Sequence, residues 1–466
     1  MLNHRLNLNS ELILELCMSI KLKLLCLVGA GLLVATPALA VDLVGVHDLA
    51  AKNDPRLKAA EARREATGEN RNIARANLLP QIGAAAFWTR GNSKTKVPGL
   101  DIPDSDIDNT SYGADLRQSL YRQANYESLD IARGQISQAE ALYALAYQDF
   151  LLRVSERYFL VLTLTDGVTF AEAEEKAFKR QFEQAEQRFE VGLTAVTDVH
   201  EARASYDNAR ARAIVARNDL ADAKEALVEL TGEYFDEYDA LQDVLPLVEP
   251  DPANADEWVD LALQSSPAVL QSRAAVDVAD ANMRLARSGH YPTLDLIATY
   301  DQFKNNKYVY RDFINDLELT TSLKVNDAQL RLVLDIPIYT GGRVSAQTRQ
   351  ARYLLDATGQ DLDDVQRGAV RQTQNAFRAV LAGIQQVEAF RQASISAESA
   401  LEATQAGFEV GTRTIVDVLI AEQRKYQAQR DNSVARHAYI INHLRLKSVA
   451  GLLRAEDLVV VNQLLE

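Results

Sequence analysis

The side chains that most often perform chemistry are few in this sequence and stand in no catalytic spacing. Five histidines follow residue 40, and the sequence contains no H-E-x-x-H zinc motif, no G-x-S-x-G nucleophile motif and no phosphate-binding glycine loop. They are His47, His200, His290, His437 and His443. We therefore predict that the chain is not an enzyme and uses no cofactor and no metal, and that each histidine is a surface or packing residue.

Charged residues of another kind stand beside two glycines. Arg413 and Asp417 follow Gly411, and Asp198 follows Gly192 at the same spacing as Asp417 follows Gly411. Arginine and carboxylate side chains form ion pairs, and an aspartate in the first turn of a helix can also cap that helix. The residue types alone leave both roles open.

These residues belong to a segment that occurs twice. Phe189 to Val199 is matched 219 positions later by Phe408 to Val418, and the copies share Phe, Glu, Val, Gly, Asp and Val in the same register. Each Gly interrupts a helical pattern, and glycine is the residue most able to leave the right-handed helical region. Each copy therefore predicts the bend of a long antiparallel helical hairpin.

The elements that lead to these bends are unusually long. Apolar residues recur at helical spacing from Gln123 to Glu190 without a proline, and a continuous helix over this range would span ~100 Å. After Gly192 the predicted helix runs from Ala202 to Leu230. Such lengths are typical of a coiled coil or a wall of helices rather than of an ordinary soluble domain.

The whole series of elements repeats. Pro55 corresponds to Pro267 and Pro80 to Pro292, both 212 positions apart, and each unit consists of helix, two strands, long helix, bend and returning helix. We predict a signal peptide at 1–40, a first repeat at 41–232, an acidic connector at 233–254 and a second repeat at 255–466.

Alternation of apolar and polar residues predicts four strands of about ten residues each, as from Leu330 to Ile338, with a polar loop from about Gly91 to Asn109 between the first two. One apolar and one polar face is the pattern of strands between lipid and water. Backbone groups in lipid must all be paired, and four strands are too few to close a barrel. The chain would then have to oligomerise, as a dimer with eight strands or a trimer with twelve. Ordinary hairpins packed on helices in a soluble protein are the alternative.

Charge and targeting signals limit the possible partners. A basic, then apolar, then Ala-x-Ala segment at 1–40 is typical of a secretory signal, and it contains both cysteines, Cys17 and Cys26. The remaining chain has 47 basic and 63 acidic residues, a net charge of −16, which argues against nucleic acid. The sequence after residue 40 contains no run of eighteen apolar residues, so it predicts no transmembrane helix.

Taken with the duplication, the two V-G bends and the Pro-Ile-Tyr-Thr-Gly-Gly run at 337–342 resemble the TolC-type outer-membrane efflux proteins over essentially the whole mature chain. The resemblance implies a homotrimer whose twelve-stranded β-barrel, four strands per chain, lies in outer-membrane lipid and continues into an α-helical coiled-coil barrel across the periplasm. It also implies a periplasmic membrane-fusion adaptor and, through it, an inner-membrane pump of the RND, MFS or ABC type. The cargo would be drugs or secreted proteins. A periplasmic coiled-coil adaptor without a barrel is the alternative.

The resemblance further assigns a gate at the closed periplasmic end. Arg413 matches the family's gating arginine and Asp417 the first of two aspartate rings. The expected partners on the neighbouring coil are Asp198, Gln187 and Gln181. The exposed tips expected to dock the adaptor are Val191, Gly192, Leu193, Val410, Gly411 and Thr412.

Three positions depart from the family pattern. Phe408 stands where a gating tyrosine can occur, Gln405 replaces an acidic partner, and Ile420 replaces the second ring aspartate. Glu422 is a nearby carboxylate, but two residues along a helix turn it roughly 200° away from position 420. We expect Glu422 to be a poor substitute for the missing ring.

Overall fold

The computed structural model describes residues 40–94, 98, 105–312 and 317–466. The predicted signal peptide lies outside the described residues except for Ala40. In chain order the elements are α1 (Leu43–Asn53), α2 (Pro55–Gly68), α3 (Asn70–Ala76), β1 (Gln81–Ser93), β2 (Ser105–Arg122), α4 (Gln123–Glu190), α5 (Val196–Thr231), α6 (Ala255–Ser265), α7 (Pro267–Ser288), β3 (Thr293–Asp312), β4 (Leu317–Asp335), α8 (Arg343–Glu409), α9 (Ile415–Val449) and α10 (Ala455–Asn462). The order strand, strand, long helix, bend, helix therefore occurs twice.

The two long helices dominate the molecule. α4 has 68 residues with the bounds predicted from the sequence, and α8 has 67. Each ends at a bend where a glycine has positive φ, +74° at Gly192 and +78° at Gly411. The returning helix α5 begins at Val196, earlier than the predicted Ala202, because the segment just after the bend already has helical backbone.

The four strands form one antiparallel sheet in the order β1-β2-β3-β4. They have 13, 18, 20 and 19 residues, so the predicted length of about ten was wrong. The strands continue beyond their apolar band into polar residues that stay paired. Gly91 pairs with Ile107, for example, inside the segment predicted to be a loop. At the other end β4 stops at Asp335, so Ile336 and Ile338 lie outside it.

The register of the sheet confirms the predicted alternation. One row across the four strands is apolar, consisting of Ile82, Leu116, Ala298 and Leu330. The adjacent row on the opposite face consists of Gly83, Asp115, Thr299 and Gln329. β1 and β4 are the two edges of this sheet. The apolar face is uncovered in the single chain, where Leu330 is 72 % exposed and Trp88 is 67 % exposed.

The main core lies near the middle of the hairpins, where α1, α6 and α10 pack on the long helices. Tyr158 of α4 is fully buried there, and its hydroxyl donates to the backbone oxygens of Val41 at 3.1 Å and Asp239 at 2.9 Å. The segment between α5 and α6 is thereby held against α4, together with the start of the described chain. Within the described ranges, no helix is both long enough and apolar enough to cross a membrane.

The two bends provide a test of the backbone. A valine at Gly192 or Gly411 should destabilise the hairpin by ~1–2 kcal/mol, because a β-branched residue is strained at positive φ. Nothing lies within 4 Å of a Cβ built at either glycine, so the cost comes from the backbone alone. Thermal unfolding of the helices, followed by far-ultraviolet circular dichroism in detergent, measures it.

Gly167 in the middle of α4 provides the matched control. It also has open space around its Cβ position but has ordinary helical backbone. Gly167→Ala should leave the free energy of unfolding unchanged or raise it by up to ~1 kcal/mol, so the melting temperature should stay the same or rise slightly. Equal melting temperatures for Gly192→Val and Gly167→Ala would contradict the assignment of strain to the bends.

Candidate gate and docking tips

The two tips are closed by the same pattern of backbone hydrogen bonds. At the first, Gly192 N donates to Phe189 O at 2.9 Å and Leu193 N donates to Arg188 O at 2.8 Å. At the second, the equivalent bonds run from Gly411 N to Phe408 O at 3.1 Å and from Thr412 N to Gly407 O at 2.8 Å. Both bends satisfy carbonyl groups that the ends of α4 and α8 would otherwise leave unpaired.

The tips present apolar side chains to solvent. The exposed fractions of Val191, Leu193 and Val410 are 68 %, 74 % and 75 %. Gly192, Gly411 and Thr412 are exposed as well. All six residues predicted to form the docking tips therefore lie at an accessible surface of the chain.

Asp417, in the first turn of α9, forms a capping box with Thr414, the N-cap residue of that helix. The backbone N–H and the hydroxyl of Thr414 both donate to Asp417 Oδ2 at 2.9 Å, and Asp417 N donates to Thr414 Oγ1 at 3.3 Å. The hydrogen bond from the Thr414 backbone, followed by that from its hydroxyl, lowers the pKa of Asp417, and nearby Arg413 lowers it further. The carboxylate thus stays ionised at neutral pH. Of the two roles left open by the sequence, capping is present.

Asp198 has the corresponding place in the first hairpin. The hydroxyl of Thr194 donates to its carboxylate, and its backbone N–H donates to Ala195 O at 3.1 Å. In the described part of the chain no ion pair joins Asp198 to Arg413, so a single copy does not bring these two predicted partners together.

Arg413 lies instead against its own hairpin. Its backbone N–H donates to Gly407 O at 3.2 Å, and a Cβ built at Gly407 would stand only 2.8 Å from Arg413 Cγ. A side chain at position 407 would therefore displace Arg413 from its place against α8. The matching position of the first hairpin is Arg188, so the difference between the two copies could have indicated this contact.

Phe408 connects the two hairpins. The guanidinium carbon of Arg188 lies 4.8 Å from the centre of the Phe408 ring, which is the geometry of a cation–π contact. The ring is half-buried and packs against apolar clusters that include Leu401 and Ile415. Phe408 thus has a contact of its own where a hydroxyl hydrogen bond was expected to be lost. Gln181 is half-buried and Gln187 exposed, and neither side-chain amide has a hydrogen-bond partner among the described residues.

Farther from the tips, an ion cluster around a buried glutamate joins both hairpins. Glu174 of α4 is fully buried and accepts from Arg212 of α5 at 2.8 Å and from Arg430 of α9 at 3.2 Å. We call Glu174, Arg212 and Arg430 the hairpin clasp. Because both arginines depend on one carboxylate, the clasp fixes the two returning helices against the same face of α4.

Glu422 of α9 is buried too, with 6 % of its surface exposed, and its Oε2 has no hydrogen-bond partner in the described part of the molecule. Burial raises the pKa of Glu422 to about 7, while Arg180 and Lys425 oppose the rise. Ile420, by contrast, is 42 % exposed. The two side chains thus have different surroundings, as their separation along the helix predicts.

The histidines take packing and surface positions. His437 is buried and its Nδ1 lies 2.9 Å from Thr163 Oγ1, while burial lowers its pKa to about 4. His443 Nε2 lies 3.1 Å from Val248 O, and His200 and His290 are exposed. Across the ranges that the structure describes, no group of three or more His, Cys, Asp or Glu side chains is placed to hold a metal ion.

Comparison with known proteins identifies the relatives of this architecture. Residues 46–233 and 258–452 match the family described as outer membrane efflux protein. The chain is 37 % identical over 423 residues to the outer membrane protein TolC of Vibrio cholerae, covering 91 % of this chain and 93 % of TolC. It is 30 % identical over 444 residues to the alkaline protease secretion protein AprF of Pseudomonas aeruginosa, covering 92 % and 88 %.

A solved structure has the same fold. The CmeC outer membrane channel of Campylobacter jejuni superposes with a TM-score of 0.75 at 16 % identity, covering 90 % of this chain and 89 % of CmeC. The matches support an exit duct in the outer membrane of a Gram-negative bacterium, serving efflux or type I secretion. They set aside a periplasmic adaptor without a membrane barrel. The chain belongs to the outer membrane efflux protein family.

Proposed function

We propose that three copies of the chain close their sheets into one twelve-stranded β-barrel in outer-membrane lipid, and that their hairpins form a helical tunnel through the periplasm. The observation that carries this proposal is the sheet itself. Its four strands share one uncovered apolar face, and two strands, β1 and β4, stand at its edges. Edge backbone groups surrounded by lipid must find partners, and strands of further copies supply them.

The duct works by passage rather than by chemistry. Its cargo would be drugs or secreted proteins, and the similarity to a protease secretion protein as well as to the outer membrane efflux protein family is compatible with both. The chain is proposed to consist of two repeats, 41–232 and 255–466, on either side of an acidic connector at 233–254.

The hairpin tips are proposed to dock a periplasmic membrane-fusion adaptor, which links the duct to an inner-membrane pump of the RND, MFS or ABC type. The exposed Val191, Leu193 and Val410 support this role, because apolar side chains on two bends with the same backbone hydrogen bonds form a repeated surface that a partner can cover. Three-fold symmetry would present six such bends around one axis.

The gate is proposed to lie just behind these tips. Three Asp417 carboxylates would form a negative ring around the axis, and their capping bonds with Thr414 hold them ionised and in place. Arg413 has no carboxylate partner within the described part of its own chain, so it is available to pair with Asp198 across a boundary between copies. Gln181 and Gln187 are available in the same way.

Within each copy, the contact between Arg188 and Phe408 holds the first tip to the second. A cation–π contact contributes ~0.5–2 kcal/mol, depending on how far it is shielded from water. An adaptor that binds the tips could therefore break it. We expect opening of the gate to separate these two residues.

Assembly is tested first in detergent. Purified protein should have the mass of a trimer by light scattering, because twelve strands close a barrel and four do not. A monodisperse monomer, or a dimer that is soluble without detergent, would contradict the proposal.

The two faces of β4 offer a matched pair of variants for the same test. Leu332→Arg introduces a charge on the apolar face, which should cost ~2–4 kcal/mol if the residue lies near the bilayer midplane, and should reduce membrane insertion. Gln329→Arg introduces the same charge on the polar face of the same strand and should insert normally. Equal insertion of both variants would mean that the apolar face does not contact lipid.

The charge ring is tested by ion conduction in planar bilayers. Asp417→Asn should raise the concentration of divalent cation that blocks the channel by about tenfold or more, because a ring of like charges concentrates counter-ions and Ile420 provides no second ring. Thr414→Ala is the control, since it removes the two hydrogen bonds of the Thr414 hydroxyl but keeps the backbone bond and the carboxylate. Full block in the Asp417→Asn channel, or equal loss of block in both variants, would place the blocking charge elsewhere.

A further inference from the structure

A buried carboxyl group lies between the two hairpins a short distance behind the candidate gate. Glu422 follows Asp417 by five residues on α9, a helix that packs against α8, its own hairpin partner, and against α4 and α5 of the first hairpin. Its side chain is 94 % buried and one of its oxygens has no hydrogen-bond partner in the described structure. An unpaired buried carboxylate is costly, whereas the neutral acid is much less so.

The charged groups around Glu422 come from both hairpins. α4 contributes Arg180 and Glu174, and α9 itself contributes Lys425 and the neighbouring Tyr426. No described cation lies within ion-pairing distance of Glu422. The two nearest basic groups therefore oppose its protonation only from a distance.

Two of the charged side chains near Glu422 already form ion pairs with other residues. Lys425 Nζ lies 2.7 Å from Glu398 of α8, and Glu174 is held by Arg212 of α5 and Arg430 of α9 in the hairpin clasp. Ionised Glu422 would thus face a second buried carboxylate without gaining a counter-ion of its own. Closed packing of the hairpins favours the neutral acid, and exposure of the interface to water favours the carboxylate.

The duplicated hairpin provides an internal comparison. The position that matches Glu422 in the first hairpin is Arg203, whose side chain is 67 % exposed and lies 3.9 Å from Asp207. The matching position is therefore an exposed arginine in the first hairpin and a buried glutamate in the second. The burial of Glu422 is a property of where the second hairpin packs, not of the hairpin motif.

We propose that Glu422 is a proton switch in the duct: protonated, it stabilises the packed hairpins and the closed gate, and ionised, it loosens them and favours opening. The effect on conduction rests on the proposed gate, whereas the ionisation of Glu422 does not. Burial between the packed hairpins raises the pKa of Glu422 to about 7, and a hydrated open state would return it toward the ordinary value of 4.5. Closure is then fully supported below the lower value, weakens as pH rises between the two, and changes no further above the higher one.

The test is the open fraction of the complete protein in planar bilayers from about pH 4.5 to about pH 8. The wild-type channel should open more often as pH rises toward neutrality and then level off. Each unit by which the pKa differs between the two states changes the equilibrium about tenfold in each copy. Glu422→Gln, which resembles the neutral acid, should stay at the closed, low-pH level throughout, and Glu422→Met should do the same if the Gln variant folds poorly.

A control variant and a spectroscopic measurement separate the possible outcomes. Arg203→Gln, at the matching position of the first hairpin, should retain the pH response, because that side chain is exposed and lies outside the buried site. Infrared titration of the same protein should show a protonated carboxyl band that disappears near pH 7 in the wild type and is missing from Glu422→Gln.

Equal pH responses in the wild type and Glu422→Gln would overturn the switch and leave the channel proposal intact. Identical infrared titrations of the two proteins would overturn the assignment of the buried acid. Absence of any conductance in the wild type would overturn the proposed duct and the switch together.

Discussion

The packing of one long helix, α4, against the returning helices of both hairpins is the interaction on which the rest of the structure depends. Toward the tips, small buried residues line this contact on α4 and α5, among them Ala185, Ala202 and Ala209. Alanine lets helix backbones approach closely but contributes little apolar area, so the contact is weaker near the tips than in the central core. Its specificity comes from the few polar groups placed in it, the hairpin clasp and Glu422.

The consequence is a long helical region that is packed firmly at its centre and weakly near its tips. A helix of ~100 Å cannot remain folded on propensity alone and needs continuous lateral packing. The central core around Tyr158 anchors one part of that packing. Toward the tips the apolar clusters become small. The contacts between hairpins there are the cluster that joins Phe178 to Ile415 and Leu419, the contact of Phe408 with Arg188, and the polar groups near Glu174. A duct that opens at one end needs this gradient from a firm centre to a weakly held tip.

Local patterns in the sequence predicted the long helix, the bends and the two faces of the sheet, and the structure confirms these predictions. The bounds of α4 follow from uninterrupted helical spacing, the bends from single glycines at positive φ, and the two faces of the sheet from strict alternation. Strand lengths were underestimated because polar residues beyond the apolar band also pair, and a pattern of hydrophobicity cannot detect them. The gate residues named by resemblance lie near the tips, yet a single copy does not join Arg413 to Asp198.

Local patterns in the sequence could not predict which residues of the two hairpins contact each other. Arg188 and Phe408 are 220 positions apart in the sequence, and nothing in either segment predicts that they meet. The burial of Glu422 is of the same kind, since the matching Arg203 is exposed. Comparing the two copies of the hairpin, rather than only their shared residues, would have marked both Gly407 and Glu422. Where a duplicated unit has two environments, the positions that differ between copies carry the information about packing.

In the proposed mechanism, the duct opens when the first hairpin tip separates from the second. The chain from residue 41 onward has no cysteine, so Arg188→Cys and Phe408→Cys supply the only thiols of that part of each copy to a cleavable thiol-specific cross-linker. Efflux is then measured in cells whose own duct has been removed, before cross-linking, after it, and after cleavage of the linker. We predict that efflux stops when the tips are tethered and returns when the tether is cut. Unchanged efflux with the pair fully cross-linked would contradict the claim.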